Sequence, residues 1–151
     1  MKFFSRLFTA IIFIGIYYSI SAQESSADWV ISQGNSNFEI STKKINCSDA
    51  SKGISKEYLF LKIENKSKNA LQLDYKIEKW YDEVCSNCDL DERENSSFSI
   101  ELAAGESATG SCKDYRNRKL AVFSKMTGTA KARKLTDFKI IPLAVNGENV
   151  K

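Results

Sequence analysis

The sequence predicts an all-β fold, an antiparallel β-sandwich of about six to eight short strands. Apolar and polar residues alternate with period two along several runs, as they do on a strand with one buried face. Polar, turn-forming breaks separate these runs at roughly ten-residue intervals, a spacing typical of sandwiches and barrels. None of the runs shows the three- and four-residue apolar spacing of an amphipathic helix.

The alternation is clearest in residues 57–88, around which the chain is organised. Leu71, Leu73, Tyr75 and Ile77 fall on one face, and Gln72, Asp74, Lys76 and Glu78 on the other. Leu59, Leu61 and Ile63 alternate in the same way with Tyr58, Phe60 and Lys62. Residues 64–69 form a polar break of hairpin length, so the two runs are expected to pair as one antiparallel hairpin. One buried face per strand also suits antiparallel rather than parallel pairing.

From the start of the chain, residues 1–22 read as a secretory signal peptide, and residues 23–151 as a single domain. Lys2 and Arg6 supply the positive region, an apolar run of roughly 14 residues follows, and Ser21-Ala22 provides a small-residue exit. The apolar run is short for a bilayer span, which takes about 20 residues; an uncleaved N-terminal anchor is the alternative. The first cysteine is Cys47, too late for a lipid-modified N-terminus, so no stable membrane anchor is expected after cleavage. Trp29-Val30-Ile31 starts a first short strand, and residues 33–37 are a turn cluster. Phe38 and Ile40 begin a strand ending near Cys47, and residues 48–56 read as a loop. Beyond Cys88 lies an acidic segment. Phe98, Ile100 and Leu102 then make a strand, residues 103–106 a tight turn, residues 107–112 a weak strand and residues 113–118 a polar loop. Residues 120–123 and 138–145 form the last two strands. Pro142 implies a bulge or an edge position, and Asn146-Gly147 ends the strand.

Composition narrows the function. The chain carries a net charge of +3; loss of Lys2 and Arg6 brings it to about +1, which gives no basis for nucleic-acid binding. It has no histidine, the commonest general base and metal ligand. A catalytic triad, a nucleophile elbow and a phosphate loop are all missing. Paired-carboxylate glycosidase chemistry remains open, although the domain is small for a substrate cleft.

The run Phe98-Ser-Ile-Glu-Leu-Ala-Ala-Gly-Glu-Ser107 resembles the strand-turn-strand of small extracellular immunoglobulin-like sandwich modules. The leader ending Ser21-Ala22-Gln23 and the Lys/Asn/Ile/Ser-rich composition resemble secreted proteins of Bacteroidota. The resemblance implies a fold and a compartment but no activity. The antibody pattern, with a mid-strand cysteine in each of two strands packed on a tryptophan, is not met, because the cysteines here sit at strand ends.

Strand directions place Cys47, Cys85, Cys88 and Cys112 at one pole of the sandwich. Four cysteines in a secreted chain read as two disulfides, with three pairings open. Two other readings compete. Cys85-Ser86-Asn87-Cys88 is a C-x-x-C following a strand, which fits a thiol–disulfide oxidoreductase, with Ile141-Pro142 as a thioredoxin-like loop proline. Against it, the neighbours Asp82, Glu83, Asp89, Asp91, Glu92 and Glu94 disfavour a thiolate. A four-cysteine zinc site has only one such knuckle.

Three surface features complete the reading. Asp89, Asp91, Glu92 and Glu94 offer carboxylates for calcium, without the spacing of an EF-hand. Lys113, Arg116, Arg118, Lys119, Lys125, Lys131, Arg133 and Lys134 make the C-terminal third basic, suited to an acidic partner, to a membrane surface or to partial pairing with the acidic segment. Trp80 continues the polar face of its strand, and with Tyr81 makes a candidate surface for a glycan or protein partner; a bulge or a shielding loop is the alternative for Trp80. The sequence therefore points to a secreted, periplasmic or extracellular, non-enzymatic binding or structural module, without cofactor or metal, with the oxidoreductase as the alternative.

Overall fold

The computed structural model describes residues 28–49, 53–88, 97–128 and 132–150. Residues 1–22, expected to be a signal peptide, and the acidic segment, with the calcium reading, lie outside these residues. Among the described residues the chain is all-β, with β1 Val30–Gly34, β2 Phe38–Asp49, β3 Ile54–Asn65, β4 Leu71–Tyr81, β5 Val84–Cys85, β6 Ser97–Leu102, β7 Ser107–Thr109, β8 Ala121–Met126, β9 Leu135–Val145 and β10 Glu148–Asn149.

The strands form two five-stranded sheets, and every pairing is antiparallel. In the first sheet β1 pairs β2 and β2 pairs β3, while β7 and β8 share the other edge of β3. In the second, β10 pairs β9 and β9 pairs β4, while β5 and β6 share the other edge of β4. One hydrophobic cluster draws on both sheets, with Ile40, Leu59, Leu61 and Ile63 from the first and Leu71, Leu73, Tyr75 and Ile77 from the second. These are the period-two positions of the sequence, and each apolar face is buried against the other.

The expected β3–β4 hairpin does not form. The two strands lie in different sheets, and the segment between them arches from one to the other. A hairpin would lay both apolar faces side by side; the arch turns them face to face, which buries both. Asn65, 1 % exposed, organises the arch. Its amide donates to the carbonyls of Asn69, Leu102 and Ala103, and its Oδ1 accepts from the Ser67 N–H and hydroxyl.

Other boundaries also differ from expectation. The loop assigned to residues 48–56 is largely strand, since β2 and β3 stay in register out to the Asp49–Ile54 pair. The polar outward residues there, such as Ser48 and Ser55 with their hydroxyls 3.2 Å apart, carry no apolar alternation to announce a strand. The bulge expected at Pro142 is present: Asp74 faces Ala144 and Tyr75 faces Pro142, leaving Leu143 as the extra residue. Asn146-Gly147, both at positive φ, turn the chain back into β10 rather than ending it.

Candidate functional site

Each sheet has one interrupted edge, and the two interruptions face each other. Along β3, β7 pairs Lys62–Glu64 and β8 pairs Lys56–Phe60. Between them residues 111–119 leave the sheet. The neck of this excursion is closed by Gly110 N–H to the Leu61 carbonyl and by Leu61 N–H to the Leu120 carbonyl, at 2.9 and 3.0 Å. Gly110 is required here, because a Cβ would collide with the Leu120 carbonyl oxygen and the Phe60 ring. Along the edge of β4 away from β9, β5 pairs Trp80 and Tyr81, β6 pairs Leu71–Lys76, and no described strand pairs residues 77–79.

The C-x-x-C segment fills that gap. Asn87 Oδ1 accepts the Lys79 N–H at 2.9 Å, and its amide donates to the Ile77 carbonyl at 2.7 Å. The Ser86 N–H and hydroxyl both donate to the Lys79 carbonyl. Asn87 is 7 % exposed, and its side chain takes the place of a strand's backbone. The Asp82-Glu83 turn that delivers this segment has both residues at positive φ. It is held by Asp82 N–H to the Lys134 carbonyl and Glu83 N–H to the Thr136 hydroxyl.

Two disulfides hold the excursions. Cys85 is joined to Cys88, and Cys47, at the end of β2, to Cys112. The register of β2 with β3, and of β4 with β5, puts all four at one end of the sheets. No cysteine is free, so none offers a thiolate to a metal. Among the described residues no cluster of three or more Cys, Asp or Glu side chains is arranged to hold a metal ion.

Between the excursions lies a cleft of about 580 Å³. Two tyrosines of β4 reach across beside it: Tyr75 donates to the Lys119 carbonyl of the excursion and Tyr81 to the Phe123 carbonyl of β8, each at 2.6 Å. Burial raises the pKa of Tyr75 far above the ordinary tyrosine value and raises that of Tyr81, against an opposing effect of Arg133. The walls are aromatic. Tyr58 and Tyr115 meet at a tilt of 39° with centroids 5.3 Å apart, Phe123 meets Tyr58 edge-on, and Phe98 lines the β6 side.

Among the described residues the charged lining is entirely positive: Lys79, Arg116 and Arg118, with no Asp or Glu. Lys79 sits on β4 in phase with Tyr75, Ile77 and Tyr81, and so points between the sheets. Burial, and then the charge of Arg118, lower its pKa from the ordinary lysine value. Elsewhere Lys62, Lys66, Lys76, Lys125 and Arg133 make ion pairs with carboxylates. Among the described residues no such pair reaches the three cations of the cleft. Arg116 lies 5.9 Å from the Tyr115 ring centroid, over its face. Such a site can hold an oxyanion on the guanidinium groups and a flat ring against the tyrosines.

The sequence-based candidates divide. Tyr81 reaches the cleft, whereas Trp80 faces the opposite side of the sheet and is half-buried. Cys85 and Cys88 frame the cleft through Ser86 and Asn87. Arg116 and Arg118 were picked out only as part of a basic segment, whose other described members, Lys113, Lys119, Lys125, Arg133 and Lys134, do not line the cleft. Sequence reasoning passed over Lys79, although its phase gave a signal: it continues the apolar face of β4. Asn87 gave none, because its role depends on a gap in a sheet edge.

The described residues thus form a two-sheet antiparallel β-protein with a disulfide-framed, cationic and aromatic cleft. No family model matches the chain, and neither curated proteins nor solved structures give a match.

Proposed function

We propose that the protein is a secreted, non-enzymatic recognition module of the cell envelope or extracellular space, an immunoglobulin-like sandwich that seats its ligand in the cleft between the interrupted edges. The cleft carries this reading: preformed, framed by two disulfides, and lined by aromatic rings and by cations that no described carboxylate pairs. Two disulfides suit an oxidising compartment, and no helix among the described residues is long and apolar enough to cross a membrane. In support of a structural role for Cys85–Cys88, both intervening residues are bonded to the backbone of β4.

The test is an array of immobilised glycans and peptides, probed with the disulfide-intact protein and with its Tyr115→Ala variant. Binding that is lost in the variant is the expected result; an array without any hit that depends on Tyr115 overturns the reading. The oxidoreductase alternative is tested by titration with glutathione buffers and peptide mapping. Preferential reduction of Cys85–Cys88 at cellular glutathione potentials would favour it.

A further inference from the structure

We propose that the ligand is a small ring-bearing oxyanion, its carboxylate or sulfate group held by Lys79 and Arg118 and its ring face laid on Tyr115. This rests on the recognition reading and specifies its ligand. Three observations carry it. The cations are built into the site: Lys79 projects from the inner face of β4, while Arg116 and Arg118 stand on an excursion tied to β2 by Cys47–Cys112. They have no carboxylate among the described lining residues, in a protein whose other described cations are often paired. Lys79 is half-buried while Arg116 and Arg118 are exposed; bringing these like charges together with no carboxylate among the described lining residues is unfavourable, and an incoming anion relieves that repulsion.

The neutral polar groups add the second point. Asn87 is committed to the backbone of β4 and Ser86 to the Lys79 carbonyl. The Tyr81 hydroxyl is likewise committed, to the Phe123 carbonyl; beside the Tyr58 and Tyr115 hydroxyls, the charged recognition falls to the guanidinium groups and the ammonium, which donate hydrogen bonds and accept none and so favour acceptors bearing negative charge. The third is shape. Tyr115, 37 % exposed, is the most open of the lining rings, and it is backed by Tyr58 at 6 %. A cleft of about 580 Å³ is within the size range of small-molecule sites.

Calorimetric titration of the disulfide-intact protein tests this with four probes: a uronate disaccharide, a sulfated disaccharide, the neutral disaccharide of the same ring, and benzoate. Binding of at least one anionic probe tenfold or more tighter than the neutral sugar is expected, weakening as salt rises. Sugar-acid and aromatic-acid ligands are separated by which anionic probe binds. Arg118→Gln should weaken binding at least tenfold, and Lys79→Gln likewise, with unchanged circular dichroism. Lys139→Gln, an exposed cation outside the cleft, should have no effect. Equal loss in Lys139→Gln would mean diffuse surface attraction and overturns the proposal. A neutral sugar that binds as well as the anions, with the Tyr115 dependence retained, overturns the oxyanion assignment and leaves the recognition reading standing. No binding by any probe also overturns the assignment, and the array separately decides the recognition reading.

Discussion

Lys79 shows how a single residue can be costly to the fold and useful to the site. Its neighbours in phase along β4 are buried apolar or aromatic groups, and its cationic neighbour Arg118 repels it. A lysine whose native pKa is lowered binds fewer protons than it does in the unfolded chain. It therefore weakens the fold at neutral pH, and stability recovers as pH climbs through the native value toward the ordinary one. Lys79→Met is expected to stabilise the protein by about 0.5 kcal/mol, a partly exposed group being strongly screened, while abolishing anion binding. Thermal denaturation checks the first and calorimetry the second. Tyr75 has the opposite linkage. Its native pKa is raised by burial, so its contribution is complete below about pH 10 and is lost as pH rises toward the native value, because the unfolded phenol ionises first. Tyr75→Phe removes the bond to the Lys119 carbonyl. It should cost about 1 kcal/mol at neutral pH and make the alkaline decline in urea-melt stability shallower.

At the scale of the element, the cleft depends on two places where the chain leaves its strand. The Asp82-Glu83 turn holds two non-glycine residues at positive φ, a conformation costing roughly 1–2 kcal/mol per residue. Glu83→Gly keeps the backbone bond to Thr136 and removes the Cβ conflict. It should raise stability by about 1 kcal/mol as read by chemical denaturation, and an unchanged or lowered midpoint would rule the strain out. Gly110 is the reverse case. Its substitution by alanine drives a methyl group into the Leu120 carbonyl and the Phe60 ring, at a cost of about 1–3 kcal/mol. Because the neck of the 111–119 excursion would open, Gly110→Ala should also expose the backbone amide of Leu61 to hydrogen exchange.

For the whole molecule, the two bridges act over different lengths of chain. Cys47–Cys112 spans 65 residues and ties the end of β2 to the excursion between β7 and β8. In the chain-entropy description a loop of that size is worth about 4 kcal/mol, against about 2 kcal/mol for the three-residue span of Cys85–Cys88. Replacing Cys47 and Cys112 by serine should therefore lower the denaturation midpoint more than replacing Cys85 and Cys88. The shorter bridge should show its effect mainly at the cleft, through Asn87 and the register of the Ile77–Lys79 backbone.

Legibility followed the range of each interaction. The inward faces of β3 and β4 could be read because burial imposes period two on neighbouring residues. The bulge beside Pro142 and the break at Asn146-Gly147 are visible because proline and glycine act locally, but the return into β10 is not. The outer ends of β2 and β3 were not visible, since polar residues there are held by ladder hydrogen bonds that carry no side-chain signal. The arch at Asn65 was mistaken for a hairpin because turn composition does not reveal whether the next strand joins the same sheet or the opposite one.

From its sequence alone, this protein has β-strands with apolar faces, cysteines at strand ends and a surplus of cations in its last third, all properties of residues and their near neighbours. The tertiary structure decided which cysteines pair, which sheet each strand joins, and that Lys79, Arg116 and Arg118 meet the tyrosines in one cleft. Those outcomes depend on contacts between residues far apart in the chain, where the gain from burying two faces against each other outweighs any local preference.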